Sequence, residues 1–179
     1  MGDIHHIRPA TPGDAAAIRS VARASWHAAY DDFLGRETVD AVTDDWYAVD
    51  RLRDSIEAAE SHLFVCDLAD ADWGSDRSVN DVAGFVHVSP WAGESGVGHL
   101  KRLYVHPDHW GQGLGTALLE RGERALEQAG YDRIRLEVFA ENGDGVGFYE
   151  ARGYGGVDEE CETLGGETRH LLILEMGLE

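Results

Sequence analysis

Cysteine is nearly missing from this chain. Only Cys66 and Cys161 occur, far apart and without C-x-x-C spacing. That argues against a disulfide framework or a zinc knuckle and for ordinary semi-buried thiols. Lysine is scarcer still, with Lys101 alone beside fourteen arginines. No apolar run approaches the ~20 residues of a membrane span, so no membrane association is expected. The opening MGDIHHIRPA lacks the basic-then-apolar order of a signal peptide, which points to the cytoplasm. There is no internal repeat and no low-complexity stretch.

What the chain does have is acid. Its net charge is −19 over 179 residues, spread along the sequence rather than gathered in a tail. Nucleic acid is a poor partner for such a surface. A diffuse acidic surface with so little lysine resembles the cytosolic proteins of salt-accumulating archaea, in which a Debye length of ~3 Å at molar salt makes the self-repulsion tolerable. A hydrophobic content of 43% still supports a folded core, and the length suits one domain over residues 1–179. From His99 to Arg135 the balance changes: six basic residues face five acidic ones, a near-neutral segment suited to a local anion site.

Apolar periodicity gives the elements. Ile4–Pro9 reads as a first strand. Thr11-Pro12-Gly13-Asp14 then opens a helix, with Thr11 as N-cap and Asp14 complementing the dipole. A second helical region runs from Glu37 to Ala59, with Trp46, Val49, Leu52 and Ile56 on one stripe. His62–Leu68, Val82–Val88 and Val97–Val105 read as strands, the first two joined by a polar hairpin loop over Ala69–Asp81. A helix over Leu114–Ala129, a strand over Arg133–Phe139 and a short helix over Asn142–Arg152 follow. Strands over Val157–Leu164 and Thr168–Met176 close the chain. This order implies a mixed α/β fold with helices on both faces of the sheet.

The most telling stretch is Leu103–Leu119, LYVHPDHWGQGLGTALL. A strand runs into a glycine-rich turn at a helix N-terminus, where bare backbone N–H groups and the helix dipole favour an oxyanion. A nucleoside-triphosphate loop needs Lys-Ser/Thr after its last glycine, and here Thr116-Ala117 follows Gly115. The G-x-x-G portion of a dinucleotide fingerprint is also absent. A diphosphate gripped by backbone alone fits the spacing. His106-Pro107-Asp108-His109 has only turn spacing and no further ligand, so no metal is expected.

Leu103-Tyr104-Val105-x-Pro107 followed by Gly111-Gln112-Gly113-Leu114-Gly115-Thr116 resembles the acetyl-CoA motif of the GNAT family of N-acetyltransferases. Asn142 and Phe148-Tyr149-Glu150-x-x-Gly153-Tyr154 resemble that family's second motif, at the expected distance. The resemblance implies a mostly antiparallel central sheet with splayed strands that bind the coenzyme. It implies that amides from Gly111 to Thr116 grip the diphosphate, and that main-chain groups of Leu103, Tyr104 and Val105 pair with the pantetheine arm. By the same resemblance, the Val105 N–H polarises the thioester and Asn142 holds the arm or nearby backbone. Tyr149 would act as general acid, since a phenol of pKa ~10 keeps its proton at neutral pH. Trp110 departs from the pattern: the family usually has Gln or Arg there.

For the base, His99 matches a position where several family members keep Glu or His. Even spacing would set it on one face with Lys101, Leu103 and Val105; Glu94 and Glu137 are rivals. Trp26, His27, Tyr30 and Trp91 are candidate acceptor contacts. The activity implied is direct acetyl transfer from acetyl-CoA to a primary amine of a small-molecule or peptide acceptor, in a possible homodimer. A non-catalytic acetyl-CoA sensor or partner subunit, or transfer of a different acyl group, are the alternatives.

Overall fold

Six antiparallel pairings would make a simple meander; one parallel pair gives this sheet its shape. The computed structural model describes residues 6–68 and 82–178. The strands are β1 (His6–Pro9), β2 (His62–Asp67), β3 (Val82–Pro90), β4 (Val97–Val105), β5 (Arg133–Phe139), β6 (Gly155–Leu164) and β7 (Glu167–Gly177). The helices are α1 (Ala15–Leu34), α2 (Arg36–Trp46), α3 (Val49–Glu57), α4 (Leu114–Gln128) and α5 (Gly143–Glu150). The sheet order is β1-β2-β3-β4-β5-β7-β6. Five of the six neighbouring pairs are antiparallel. The exception is β4 with β5, made parallel by the α4 crossover. The mixed, mostly antiparallel sheet is as expected. The loop expected over Ala69–Asp81 lies outside the described residues.

Each face of the sheet has its own core. α1, α2 and α3 pack Ile18, Trp26, Val39 and Leu52 against Val65, Phe85 and Leu171. On the opposite face α4 packs Leu118, Leu119 and Leu126 against Val86, Val88 and Ile134, and α5 adds Phe148 and Tyr149. The i, i+4 spacing of Leu114 and Leu118 points them inward together. Gly122 brings α4 close: a Cβ there would sit 3.0 Å from Val88 and 3.1 Å from Val86. Each fully buried leucine is worth roughly 2 kcal/mol.

Two local findings differ from the sequence reading. The expected helix over Glu37–Ala59 is two helices, α2 and α3, broken at Tyr47-Ala48. The break turns Tyr47 into the core, where its hydroxyl accepts the Trp26 indole N–H at 3.1 Å. Asp14 does more than complement a dipole. It is buried, accepts the Thr11 N–H at 2.8 Å, and shares the Arg8 guanidinium with Asp67. β1, the start of α1 and β2 are thereby fastened together. β6 is the outer strand, exposed from Gly155 to Cys161.

Candidate active site

The centre of the molecule is a fork. β4 and β5 pair only at Val97↔Arg133, Gly98↔Ile134 and His99↔Arg135. Beyond His99, β4 continues beside β3 alone. The His106 N–H donates to the Ala83 carbonyl at 2.8 Å, which fixes the phase of that ladder. Val105, opposite Gly84, and Leu103, opposite Val86, are then the non-hydrogen-bonded positions. Their N–H and C=O groups turn away from β3 toward the gap. Tyr104 is the reverse: its main chain pairs with Phe85, and its ring joins the core under α1. The expected main-chain contact from Tyr104 is therefore corrected; alternation leaves that role to Leu103 and Val105.

The alternation slips once. Between His87/Val88 and Leu100/Arg102 the register shifts, leaving Lys101 as an extra residue in β4. Gly98 and Leu100 face α4 before this bulge, and Leu103 and Val105 face it afterwards. His99 thus shares its face with Arg102 and Tyr104, not with Leu103 and Val105. The even spacing assumed from sequence fails because the bulge adds one residue.

At the end of β4 the chain makes a 3₁₀ turn, Pro107–His109, with the His106 ring accepting the Asp108 N–H at 3.2 Å. Trp110, 49% exposed, donates its indole N–H to the Val105 carbonyl at 2.7 Å. The residue that breaks the family pattern therefore pins the turn to the strand end. Gly111 and Gly113 follow at φ 78° and 80°, a conformation costly for other residues. The first intrahelical bond of α4 is Ala117 N–H to Gly113 carbonyl, 3.1 Å. The N–H groups of Leu114, Gly115 and Thr116 are left as the unpaired donors of the helix start. With exposed Gln112 between the two positive-φ glycines, this is a backbone cradle that fits a diphosphate.

α5 closes on that cradle. Asn142 caps it, its Oδ1 accepting the Gly145 N–H at 3.0 Å while its Nδ2 donates to the Tyr30 hydroxyl at 3.4 Å. Gly145 now has a reason: a Cβ there would lie 2.4 Å from the Asn142 amide. Gly143 and Gly147 have open space around them, and nothing in the structure requires glycine there. Tyr149 sits between the rings of Phe148 and Tyr154, at centroid distances of 5.1 and 5.5 Å. Burial, then neighbouring Tyr30, push its hydroxyl above the ordinary phenol range, with Arg152 pulling the other way. It holds its proton at neutral pH.

The sequence reading missed Arg152. Its Nε and Nη2 both donate to Thr116 Oγ1, at 3.1 and 2.5 Å, and Nη1 donates to the Phe148 carbonyl at 2.7 Å. The guanidinium lies 3.7 Å from the Phe148 ring centre. The i, i+4 spacing of Phe148 and Arg152 was the available signal.

His99 lies at the root of the fork. The Trp91 ring stands edge-on to it at 4.7 Å, and Glu137 is 3.7 Å from its Nε2. Burial, helped by Lys101 and Arg102, pulls the imidazole down to about 4, so it is neutral at physiological pH. Glu137 moves the opposite way, raised by burial and by Glu160 and Glu162. Glu94 is held by Arg135 and Arg133, which lower its carboxyl; it is no base. Trp26 is 2% exposed inside a ring cluster with Tyr30, Trp46, Tyr47 and Phe139. This corrects its expected role as an acceptor contact: the ring fills the core, where no acceptor reaches it. Tyr30 is buried too, and meets the site through its hydroxyl, which accepts from Asn142 and lies near Tyr149. His27 is bound between Asp31 and Asp40 on the α1–α2 side. Among the described residues no group of three metal-ligating side chains converges, and no helix is long and apolar enough to cross a membrane.

With this geometry in view, similarity to known proteins can be weighed. Residues 24–154 match the model of the acetyltransferase (GNAT) family. The spermidine N(1)-acetyltransferase of Thermoplasma acidophilum is 27% identical over 149 residues, covering 83% of this chain and 86% of that protein. An acetyltransferase of Pectobacterium atrosepticum is 41% identical over 71 residues, 38% of this chain and 49% of that protein. Among solved structures, the PaiA N-acetyltransferase of Thermoplasma acidophilum in complex with coenzyme A superposes with a TM-score of 0.77. It shares 22% identity over 97% of this chain and 98% of that one. The ribosomal-protein-S18-alanine N-acetyltransferase of Escherichia coli gives 0.70 at 18% identity, over 98% and 95%. These two likenesses speak for the fold, and the family match covers most of the chain. This protein belongs to the acetyltransferase (GNAT) family, enzymes that use acetyl-CoA as acyl donor.

Proposed function

We propose that this enzyme transfers the acetyl group of acetyl-CoA directly to the primary amine of a small cationic acceptor. The observation that carries the reading is the fork: the turned-out backbone of Leu103 and Val105 lines one wall, and neutral His99 lies at its root. In this reading Gly111, Gln112, Gly113, Leu114, Gly115 and Thr116 hold the diphosphate, and Asn142 sets α5 against the gap. The Val105 N–H meets the negative charge that gathers on the acetyl oxygen. Tyr149 gives its proton to the departing sulfur, and His99, with Glu137 beside it, takes up the proton of the amine.

Direct transfer is favoured over a cysteine-bound acetyl group. Cys66 is buried, its thiol pushed up to about 11 by burial and then by Asp67. Cys161 lies on the edge strand β6. A cationic acceptor is supported by the acidic group of Glu137, Glu160 and Glu162: after burial, Glu160 and Glu162 raise the Glu137 carboxyl, and Glu160 raises that of Glu162. The spermidine activity in the Thermoplasma relative's name makes polyamines the first acceptors to try. The acidic, lysine-poor composition supports a high-salt cytoplasm as the working medium.

The test is thiol release from acetyl-CoA with a panel of polyamines, amino acids and peptides in about 2 M KCl. Turnover on a polyamine is expected, with Tyr149→Phe lowering kcat by about 100-fold. Tight coenzyme binding without turnover on any amine would overturn the catalytic reading in favour of a sensor.

A further inference from the structure

We propose that Arg152 is the cation of the diphosphate site, standing in for the Gln or Arg that Trp110 displaces. The inference rests on the reading that the turn before α4 and the first turn of that helix hold the donor's diphosphate.

Three observations carry it. First, Arg152 is fastened to the cradle itself: two of its nitrogens converge on Thr116 Oγ1, in the first turn of α4 beside the unpaired N–H groups. Second, its orientation is locked. Nη1 is held by the Phe148 carbonyl, and the guanidinium plane lies on the Phe148 ring, whose edge is 3.5 Å from where a Gly115 Cβ would be. A longer side chain at Gly115 would push that stack away. Third, the charge has no direct carboxylate partner among the described residues, Glu123 acting on it only at longer range. Arg8, Arg19, Arg23, Arg133, Arg135 and Arg169 each grip a carboxylate, as an arginine in so acidic a chain readily does. Arg152 makes no ion pair among the described residues.

A guanidinium beside the positive end of α4 is the wrong sign for that dipole. Its own helix end at Phe148 offsets part of this, and an anion lying between guanidinium and helix start would satisfy both. Each guanidinium carries five N–H donors. Nε uses one, and Nη1 and Nη2 use one each, so two remain for phosphate oxygens. Because the stack is built before any ligand arrives, little rotamer freedom is left to lose on binding. Trp110 cannot contribute here, since its one donor is spent on Val105.

Calorimetric titration with coenzyme A tests this without turnover. Arg152→Gln is expected to weaken binding about tenfold and Arg152→Lys by less, with the difference shrinking as salt rises. Dephospho-coenzyme A, which keeps the diphosphate but lacks the 3′-phosphate, is expected to show the same tenfold loss in Arg152→Gln. If that loss disappears with dephospho-coenzyme A, Arg152 serves the 3′-phosphate and the assignment is overturned. Equal affinity of wild type, Arg152→Gln and Arg152→Lys, each with an unchanged unliganded melting temperature, overturns it too. Should Arg152→Gln lose stability, Arg152→Lys still decides: a loss of affinity no smaller than that of Arg152→Gln would assign Arg152 to packing alone. A wild-type protein that bound no coenzyme A would instead refute the underlying reading of the cradle.

Discussion

Two histidines on the α1 side of the sheet show how burial, ahead of any neighbouring charge, sets a residue's protonation. His87 is 1% exposed, and its Nε2 lies 2.7 Å from Ser61 Oγ. Burial first, then Arg102, Lys101 and His99, pull it down to about 3, as His99 is pulled to about 4. In the unfolded chain each would titrate near 6.5. Between that value and the folded one the unfolded state binds more protons, so stability is complete above it and drains as pH falls. The slope is at most about 1.4 kcal/mol per pH unit for each histidine. Urea midpoints measured at pH 7.5 and pH 5 are expected to differ less in His87→Gln, which keeps a polar partner for Ser61, than in the wild type. Identical differences in the two proteins would refute the burial argument. For catalysis the same effect is double-edged: His99 is always unprotonated at neutral pH, but it is a weak base, and raised Glu137 beside it shares the work in the proposed reaction.

At the level of elements, α5 separates two roles of glycine that look alike in sequence. An exposed glycine inside a helix costs ~1 kcal/mol relative to alanine, so Gly147→Ala is expected to raise the melting temperature. Gly145→Ala has the same propensity gain, but its methyl would strike the Asn142 amide and dislodge a cap worth about 1 kcal/mol. Its melting temperature is expected to stay near wild type while kcat falls, because Asn142 also links α5 to Tyr30. Equal stabilisation by both substitutions would contradict this account. Most elements were legible because their cues are local. The alternation of Ile134, Leu136 and Val138 marks β5, and Gly113 and Gly130 bracket α4. What escaped has no local cue. Tyr47-Ala48 carries neither proline nor glycine, and α2 and α3 part there because the core takes the Tyr47 ring. The bulge at Lys101 is fixed by pairing with β3, so the face of His99 could not be counted from β4 alone. Arg152 had a local cue only for its stack on Phe148; the partner that places it at the cradle, Thr116, lies 36 residues away. The glycine turn before α4 and the start of α5 at Asn142 were readable because each is set by its immediate neighbours in sequence.

For the whole molecule, charge is the governing quantity. A net −19 on 179 residues strains the compact state at low ionic strength, while the paired arginines lie mostly on individual seams. Raising KCl from about 0.2 M to about 3 M is expected to increase the melting temperature by several degrees, because screening removes more repulsion than it weakens attraction. A flat or falling melting temperature would mean that the acidic surface carries no net strain. The Arg8–Asp14–Asp67 cluster is expected to persist through that change, since buried pairs are poorly screened.

The outer strand β6 gives the same salt a second consequence. Its main chain ends the sheet of the described residues, so one row of N–H and C=O groups faces outward with no further strand among them beyond it. Such an edge invites a copy of itself to add on and start an aggregate. Asp158, Glu159, Glu160 and Glu162 place carboxylates on both faces of the strand, so two such edges brought about 4.8 Å apart would set like charges against each other. That guard is electrostatic and on the surface, and molar salt dulls it while tightening the fold. The protein's solubility and its stability therefore draw on the same charges with opposite preferences for ionic strength.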